Sequence, residues 1–558
     1  MFRSIYSASV ALTAAFALTP SVHAQCPQDS IDRPMQTAGD LFGAEVSTDG
    51  DLAAIGSLGA IAGTGEITFA RRNASMRWDI VQQVPSTFGL GTSGFGSVLE
   101  LDDDVLATGG TDLGPTFAPI VFMLVDDSGT WTTTAFVFDA SLDLLSEFGT
   151  SLRIDGDVLL VGAPNSLGDP AGPLPGARTG SVFHFLRDRK GTPSPLDDTW
   201  DYQNTIYPPA AFALAGMRFG ASVASDSGRL LVGAPRDMII TGPLSQTVGS
   251  AYAFDQTGST WTFTQKLSGT QSHFEDFGAS VDLSGDRAVV GAPNSQSGFA
   301  QIPGAGFTYD RSGGSWVLNA KLTGPTPLQN LARIGFDVDL EGELLVLGAP
   351  GPMAPSPGIP GRAFVYLEQG GNWDLIREHG SANPTNRDLY GVTVALTGGS
   401  VTGDLALIGS PGKKLPGPID DVGVVEYRGT TLEACPPSIV ASVGGTHTFS
   451  ITAGAQHAGE TYWMFGSASG TSPGLNLNGN NLPLVVDVYF NKTLYQPYSG
   501  AFTNFIGTLD PNGDASAALS VPADPSFAGI TLYHAYAVSP TLGAPVELTS
   551  HATSLVLQ

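Results

Sequence analysis

The chain has 558 residues, 52 acidic against 25 basic side chains, a formal net charge of −27 and 42% hydrophobic residues. That acidic excess excludes nucleic acid and anionic membrane surfaces as partners, because holding their phosphates requires clustered Lys and Arg. The length and apolar content supply a sizeable core and more than one domain.

Arg3, an apolar run over residues 10–18 and the triplet Val22-His23-Ala24 read as a charged n-region, an h-region too short to span a bilayer and a small-residue cleavage site. Residues 1–24 are therefore expected to be a signal peptide cleaved after Ala24, leaving a mature chain that is secreted, extracellular or periplasmic. Cys26 does not make the chain a lipoprotein, since Gln25 separates it from the cleavage site. Later apolar runs are broken by polar residues before they reach ~18, so no membrane span is expected.

From residue 42 one phrase recurs seven times. It reads Phe42-Gly43…Gly56-Ser57, Phe95-Gly96…Gly109-Gly110, Phe148-Gly149…Gly162-Ala163-Pro164, Phe219-Gly220…Gly233-Ala234-Pro235, Phe277-Gly278…Gly291-Ala292-Pro293, Ile334-Gly335…Gly348-Ala349-Pro350 and Tyr390-Gly391…Gly409-Ser410-Pro411. The starts lie 53, 53, 71, 58, 57 and 56 residues apart. A period of that size marks a supersecondary unit that buries its apolar surface only by stacking on its neighbours. Between the two halves sit Asp49-Gly50, Asp155-Gly156, Ser284-Gly285 and Glu341-Gly342, which read as two-residue hairpin turns. Centring the turns on 155/156 and 284/285 puts Gly149 opposite Gly162 and Gly278 opposite Gly291, a pairing without side chains that suits close approach by another backbone or a ring.

A Gly- and Pro-rich stretch then leads to a third apolar run, such as Ile67-Thr68-Phe69, Val182-Phe183-His184-Phe185 or Phe364-Val365-Tyr366. A fourth run carries one Trp per unit in six units: Trp78, Trp131, Trp200, Trp261, Trp316 and Trp373. Four antiparallel strands repeated seven times predict an all-β, seven-bladed β-propeller over residues 25–435, with blades starting near 42, 95, 148, 219, 277, 334 and 390. Stacked blades are buried on both faces, which accounts for continuous apolar runs such as Ala288-Val289-Val290.

The Phe-Gly…Gly-Ala-Pro phrase resembles the FG-GAP repeat of the integrin alpha-chain amino-terminal propeller, and more closely its bacterial relatives with a short first hairpin. The resemblance covers residues 28 to 432. It implies a ring of blades that binds a partner, with calcium held in some members by an Asp-x-Asp/Asn-x-Asp-Gly-x-x-Asp loop of the first hairpin. Here that hairpin is cut to Asp-Gly-Asp or Ser-Gly-Asp. Asp49, Asp51, Asp155 and Asp157 cannot wrap one ion from so short a turn, because calcium takes six to eight oxygens, so they read as turn-forming carboxylates.

The seventh unit lacks a Trp-bearing fourth strand, and residues 29–36 are positioned to supply it. Cys26 and Cys435, the only cysteines, bracket the ring. Closure would bring them together, so a disulfide clamping the ring is expected, stabilising the exported chain by about 5 kcal/mol on a chain-entropy model.

Beyond Cys435 the repeat stops. Strand-like runs at 446–451, 462–465, 484–489, 517–521 and 530–536, separated by turn signals such as Asn512-Gly513, predict a separate β-sandwich over 436–558. The stretch Gly470-Thr471-Ser472-Pro473-Gly474…Leu482-Pro483-Leu484 looks like a carboxy-terminal module of large secreted proteins from environmental bacteria.

Candidate chemistry is sparse. Asp510, Asn512 and Asp514 have calcium-like spacing without the trailing bidentate acid, and a hairpin turn is the competing role. Gly470-Thr471-Ser472-Pro473-Gly474 matches a nucleophile elbow in letters only, since Pro473 lacks the N–H that an oxyanion donor needs. Asp127-Ser128-Gly129-Thr130-Trp131 and Asp255 to Trp261 approach the Asp box of sialidase propellers, itself a structural turn. The histidines lack the i, i+4 spacing of a zinc helix, and His184 reads as a hydrogen-bonded edge residue. No catalytic residue and no cofactor is assigned.

Two functions compete. The first is a secreted, non-enzymatic binding or adhesion protein that recognises an extracellular protein or polysaccharide through variable loops such as 165–179 and 294–303. A purely structural envelope or matrix component is its close variant. The second is a polysaccharide hydrolase or lyase, which needs carboxylates converging at the mouth of the ring; Glu147, Glu275 and Asp276, each preceding a blade, are the candidates.

Overall fold

The computed structural model describes residues 30–31, 39–59, 64–73, 78–86, 92–112, 119–138, 142, 144–192, 194–241, 244–269, 276–294, 296–297, 300–301, 304–324, 332–351, 361–380, 388–397, 405–412, 423–428, 431–435, 438–453, 457–478, 480–510, 513–550 and 552–558. The signal-peptide segment, Cys26, Glu275 and Asn512 lie outside these residues, and so does the expected Cys26–Cys435 pairing.

Each copy of the phrase opens one antiparallel sheet. In the third sheet the strands Ser151–Asp155, Val158–Ala163, Ser181–Asp188 and Thr199–Ile206 follow in chain order and pair as neighbours. The first, second, fourth, fifth and sixth sheets repeat this order, the second with one extra short strand, and the seventh, opened by Val394–Thr397, keeps it for its first three strands. The six Trp residues all stand at the start of a fourth strand.

The turns fall one residue later than the sequence reading placed them. Asp155 pairs with Val158 and Ser151 with Gly162, so the turn is Gly156-Asp157 and Gly149 is not the register partner of Gly162. Gly149 still donates its N–H to the Gly162 carbonyl at 2.9 Å. The close backbone approach lies between sheets: a Cβ on Gly162 would overlap the carbonyl oxygen of Gly220 in the next sheet. The same contact joins Gly56 to Gly96, Gly109 to Gly149, Gly233 to Gly278, Gly291 to Gly335 and Gly348 to Gly391. Gly409 of the seventh sheet meets Gly43 of the first, and the sheets therefore close into a ring.

Hydrophobic layers between sheets hold the ring together. One layer joins Ala54 and Phe69 of the first sheet to Leu106, Phe122 and Trp131 of the second. Trp131 stacks on Phe69 with centroids 4.3 Å apart and planes 9° from parallel. Each sheet is thus buried on both faces, and the arrangement is a β-propeller.

Closure uses the amino terminus. Ser30–Ile31 pairs antiparallel with Val425 and Glu426 as the outer strand of the seventh sheet, and Ile31 joins the layer with Phe42, Leu407 and Val425.

The strand Thr431–Cys435, assigned to the ring by the sequence reading, pairs instead with Gly445–Thr452, so the carboxy-terminal unit begins by Thr431 rather than at 436. That unit contains a four-stranded and a six-stranded sheet whose apolar faces, including Phe449, Ile451, Met464 and Tyr536, share one core. Residues 484–489 do not form the expected strand. Helix Val488–Tyr495 starts there, capped by Asp487, whose side chain accepts from the Phe490 N–H at 2.7 Å. The cap competes successfully with the apolar run because Phe490 and Thr493 bury one helix face.

Candidate functional site

The first strand of each sheet is its innermost edge, and an edge strand carries N–H groups without a ladder partner. In this ring, side chains of the preceding sheet satisfy many of them. Counted from the glycine of Phe-Gly, the second, fourth and sixth residues form three tiers. The second-residue tier contains Glu45, Val98, Ser151, Ser222, Ser280, Asp337 and Thr393; the fourth contains Ser47, Glu100, Arg153, Ala224, Asp282, Asp339 and Ala395; the sixth contains Asp49, Asp102, Asp155, Asp226, Ser284, Glu341 and Thr397.

The hydrogen bonds follow one rule around the ring. Ser47 Oγ accepts from Leu101 N at 3.0 Å, Asp282 Oδ2 from Leu340 N at 2.8 Å and Asp339 Oδ2 from Leu396 N at 2.6 Å. Asp337 Oδ2 accepts from Val394 N at 2.8 Å, and Thr393 Oγ1 from Val46 N at 3.3 Å across the closure. At the third tier Asp49 caps Asp103 N, Asp102 caps Gly156 N and Ser284 caps Gly342 N. Acceptors at alternate positions thus replace the missing ladder partners.

Inside these tiers lies a cavity of about 330 Å³, lined by Glu45, Glu100, Arg153, Asp282, Asp337 and Asp339 among others. Arg153 is the single basic residue of the 21 tier positions. Its Nη1 lies 3.5 Å from Glu100 Oε1 and 3.6 Å from Asp282 Oδ1, while its Nε donates to the Ser225 carbonyl at 3.0 Å. One guanidinium cannot neutralise five carboxyls withdrawn from water. Burial accordingly pushes the Glu100 carboxyl up to about 7 against the pull of Arg153. Burial pushes Asp337 up to about 6 against the N–H groups of Val394 and Val338. Glu45, through burial and the neighbouring Asp337 and Glu100, and Asp339, through burial and Asp282, stand well above the ordinary carboxylate range.

The residues singled out from sequence lie elsewhere or have other partners. Asp51 accepts from Arg72 Nε at 2.7 Å, Asp157 from Arg189 Nε at 2.7 Å and Asp155 from Ser225 Oγ at 3.2 Å. Asp49 faces the second sheet as described, so the four turn carboxylates do not converge on one point. Asp510 closes a turn in which its side chain accepts from Asp514 N at 2.9 Å. Glu147 pairs with Arg218 at 2.5 Å, and Asp276 accepts from the Asn294 amide. Both have positive φ, 57° for Glu147 and 50° for Asp276, as does Arg333 at the corresponding place in the sixth unit; these are backbone arches before the Phe-Gly strand. His184 is not at an edge. It is fully buried on a third strand, opposite Leu160 and Asn204, at the place of Phe69 in the first sheet, and meets Trp261 edge-on at 6.1 Å.

The axial tiers were missed from sequence, although a signal was present. Polar residues at fixed even offsets from a repeated glycine, on strands otherwise apolar, mark a common inward direction.

No family model matches this chain, and no curated protein does. Among solved structures it is similar to the β-propeller domain of the Trilobed protease from Pyrococcus furiosus, described as having an open velcro topology. The two are 10% identical with a TM-score of 0.34, over 65% of this chain and 90% of that one.

Proposed function

We propose that this is a secreted, non-enzymatic binding protein of the FG-GAP kind. Its seven sheets are the blades of one closed propeller, its carboxy-terminal unit is a separate β-sandwich, and it recognises an extracellular polysaccharide or protein through one face of the ring. One observation carries the reading: the two faces are built differently. In a four-stranded meander the first-to-second and third-to-fourth turns share one end, and the remaining connections share the other. The first-to-second turns are two residues in six sheets, as in Gly50-Asp51 and Gly285-Asp286. The second-to-third connections are long and varied, spanning 164–180, 235–249, 293–304 and 350–361.

Two of these long connections are braced, one within itself and one against the third and fourth strands of its sheet. Leu167 bridges to Arg178, whose guanidinium donates to the Asn165 carbonyl at 2.6 Å. Buried Asp237 accepts from Tyr252 Oη at 2.7 Å and pairs with Lys266 at 2.6 Å. Loops held this way present a pre-organised surface, which lowers the ordering cost of binding. The axial carboxylates fit a structural role here, since Asp282, Asp337 and Asp339 each cap a neighbouring strand.

The same carboxylates support the alternative, a hydrolase acting from the ring axis. A carboxyl held near 7 in a water-accessible cavity has the pKa wanted of a general acid. One experiment separates the readings. Immobilised mature protein is tested on panels of polysaccharides and extracellular proteins, with a variant in which 166–179 and 238–247 are replaced by short turns, and reducing-sugar release is followed in parallel for the parent and Glu100→Gln. Binding lost in the loop variant and kept in Glu100→Gln supports the binding protein. Sugar release abolished by Glu100→Gln overturns it.

A further inference from the structure

The carboxy-terminal unit holds a second polar constellation. Thr461 pairs with Ser539, and Leu548 pairs with Val538 on the other side of the strand Thr531–Ser539. Glu460 and Glu547, each one residue before a paired position, therefore flank the same strand end. Glu547 is fixed there by its N–H donating to the Val538 carbonyl at 2.9 Å. A turn through Gly459, at φ 79°, carries the chain back so that Glu460 N donates to the His457 carbonyl at 3.0 Å. This turn sets His457 Nδ1 2.7 Å from Glu460 Oε2.

One donor atom from each of His457, Glu460 and Glu547 lies within 4.8 Å of the other two. Among the described residues this is the one place where three His, Cys, Asp or Glu side chains converge so closely; the axial carboxyls, though more numerous, do not. The His457 and Glu460 side chains are 13% and 19% exposed and Glu547 is exposed, so the group is reachable from solvent. Among the described residues neither glutamate has an ion pair with Lys or Arg, and His457 is paired with Glu460.

We propose that His457, Glu460 and Glu547 form a binding site for a divalent transition-metal ion of the zinc type. The donor chemistry selects the ion. An imidazole nitrogen with two carboxylates suits zinc, whereas calcium needs six to eight oxygens and gains little from a nitrogen ligand. Three protein ligands leave a coordination position for water or for a donor from a bound partner. Binding through Nδ1 replaces the present hydrogen bond to Glu460: the Nδ1 proton moves to Nε2 in neutral His457, or is released to solvent if the imidazole is charged.

The test uses the whole chain, stripped with a chelator and dialysed. Zinc chloride titrated calorimetrically is expected to bind one ion per chain, with calcium chloride failing to compete, and cobalt substituted for zinc is expected to change its visible spectrum from that of the aqueous ion. His457→Ala and Glu547→Gln should each weaken zinc by about tenfold or more, since even groups one shell beyond the ligands alter affinity that much. Glu547→Gln changes only an exposed side chain, and Asp510→Asn, at the other acidic turn of this unit, should leave zinc unchanged. Absence of zinc binding at micromolar free metal, or binding that survives both His457→Ala and Glu547→Gln, overturns the proposal.

Discussion

Gly409, in the second strand of the seventh sheet, lies so close to Gly43 of the first that a Cβ on Gly409 would overlap the Gly43 carbonyl oxygen. This contact repeats at every junction, so the paired glycines set the spacing of the ring. Gly291→Ala is expected to destabilise the protein by about 1–3 kcal/mol through overpacking. Gly409→Ala should cost at least as much because it acts where the chain must close on itself. Gly380→Ala, where a Cβ meets nothing within 4 Å, should stay within about 0.5 kcal/mol of the parent. Urea midpoints of the three variants check this.

Gln82 and Trp131 form a second junction. The Gln82 side chain donates to the Trp131 carbonyl at 2.8 Å and accepts from the Trp131 N–H at 2.8 Å, as a neighbouring strand would. Gln265 does the same to Trp316. Gln82→Ala should cost about 1–3 kcal/mol, because two buried backbone groups lose their partner. The double variant with Gln265→Ala should be additive, since the two clamps share no residue. Guanidinium unfolding followed by tryptophan fluorescence gives both numbers.

Glu100 sets a pH dependence. Burial raises its carboxyl to about 7, while in the unfolded chain a glutamate titrates near ~4.3. Between these values the folded state binds the extra proton, so stability falls as pH rises through this window, by on the order of 4 kcal/mol. Glu100→Gln is expected to leave stability at about pH 4 nearly unchanged, to raise it at about pH 8 and to flatten the profile between. Urea midpoints at the two pH values decide it; an equal slope in parent and variant refutes the assignment.

His534 works in the opposite direction. It is fully buried, its Nε2 lies 2.8 Å from Tyr489 Oη, and burial followed by the neighbouring His447 pushes its pKa well below the usual value. A base with a depressed folded pKa contributes stability that is complete above its unfolded pKa and lost as pH falls. The carboxy-terminal unit should weaken below about pH 6.5. The His534 ring resonance in an NMR titration should show its midpoint well below the ordinary histidine range, and a midpoint within that range refutes it.

The repeat made much of the ring legible. Phe-Gly, the turn glycines and the single Trp in six of the units are local requirements: positive φ, a two-residue turn, a large side chain at a strand start. The axial site was less legible, because Glu45 and Asp337, or Arg153 and Asp282, are distant in sequence and meet only once the sheets are arranged about an axis. Helix Val488–Tyr495 was missed for a different reason. Its apolar run is equally compatible with a strand until Asp487 caps the first turn and Phe490 finds its place in the core.

By itself, then, the sequence determined the unit, its sevenfold recurrence and the positions of its turns to within one residue, since all of these rest on contacts inside a few dozen residues. Tertiary structure alone decided that the phrase glycines pack between sheets rather than across a hairpin. It also decided that inward carboxyls cap the edge strands of their neighbours, and that His457, Glu460 and Glu547 converge. These depend on where separate strands stop relative to one another, and the packing of whole sheets determines that relation.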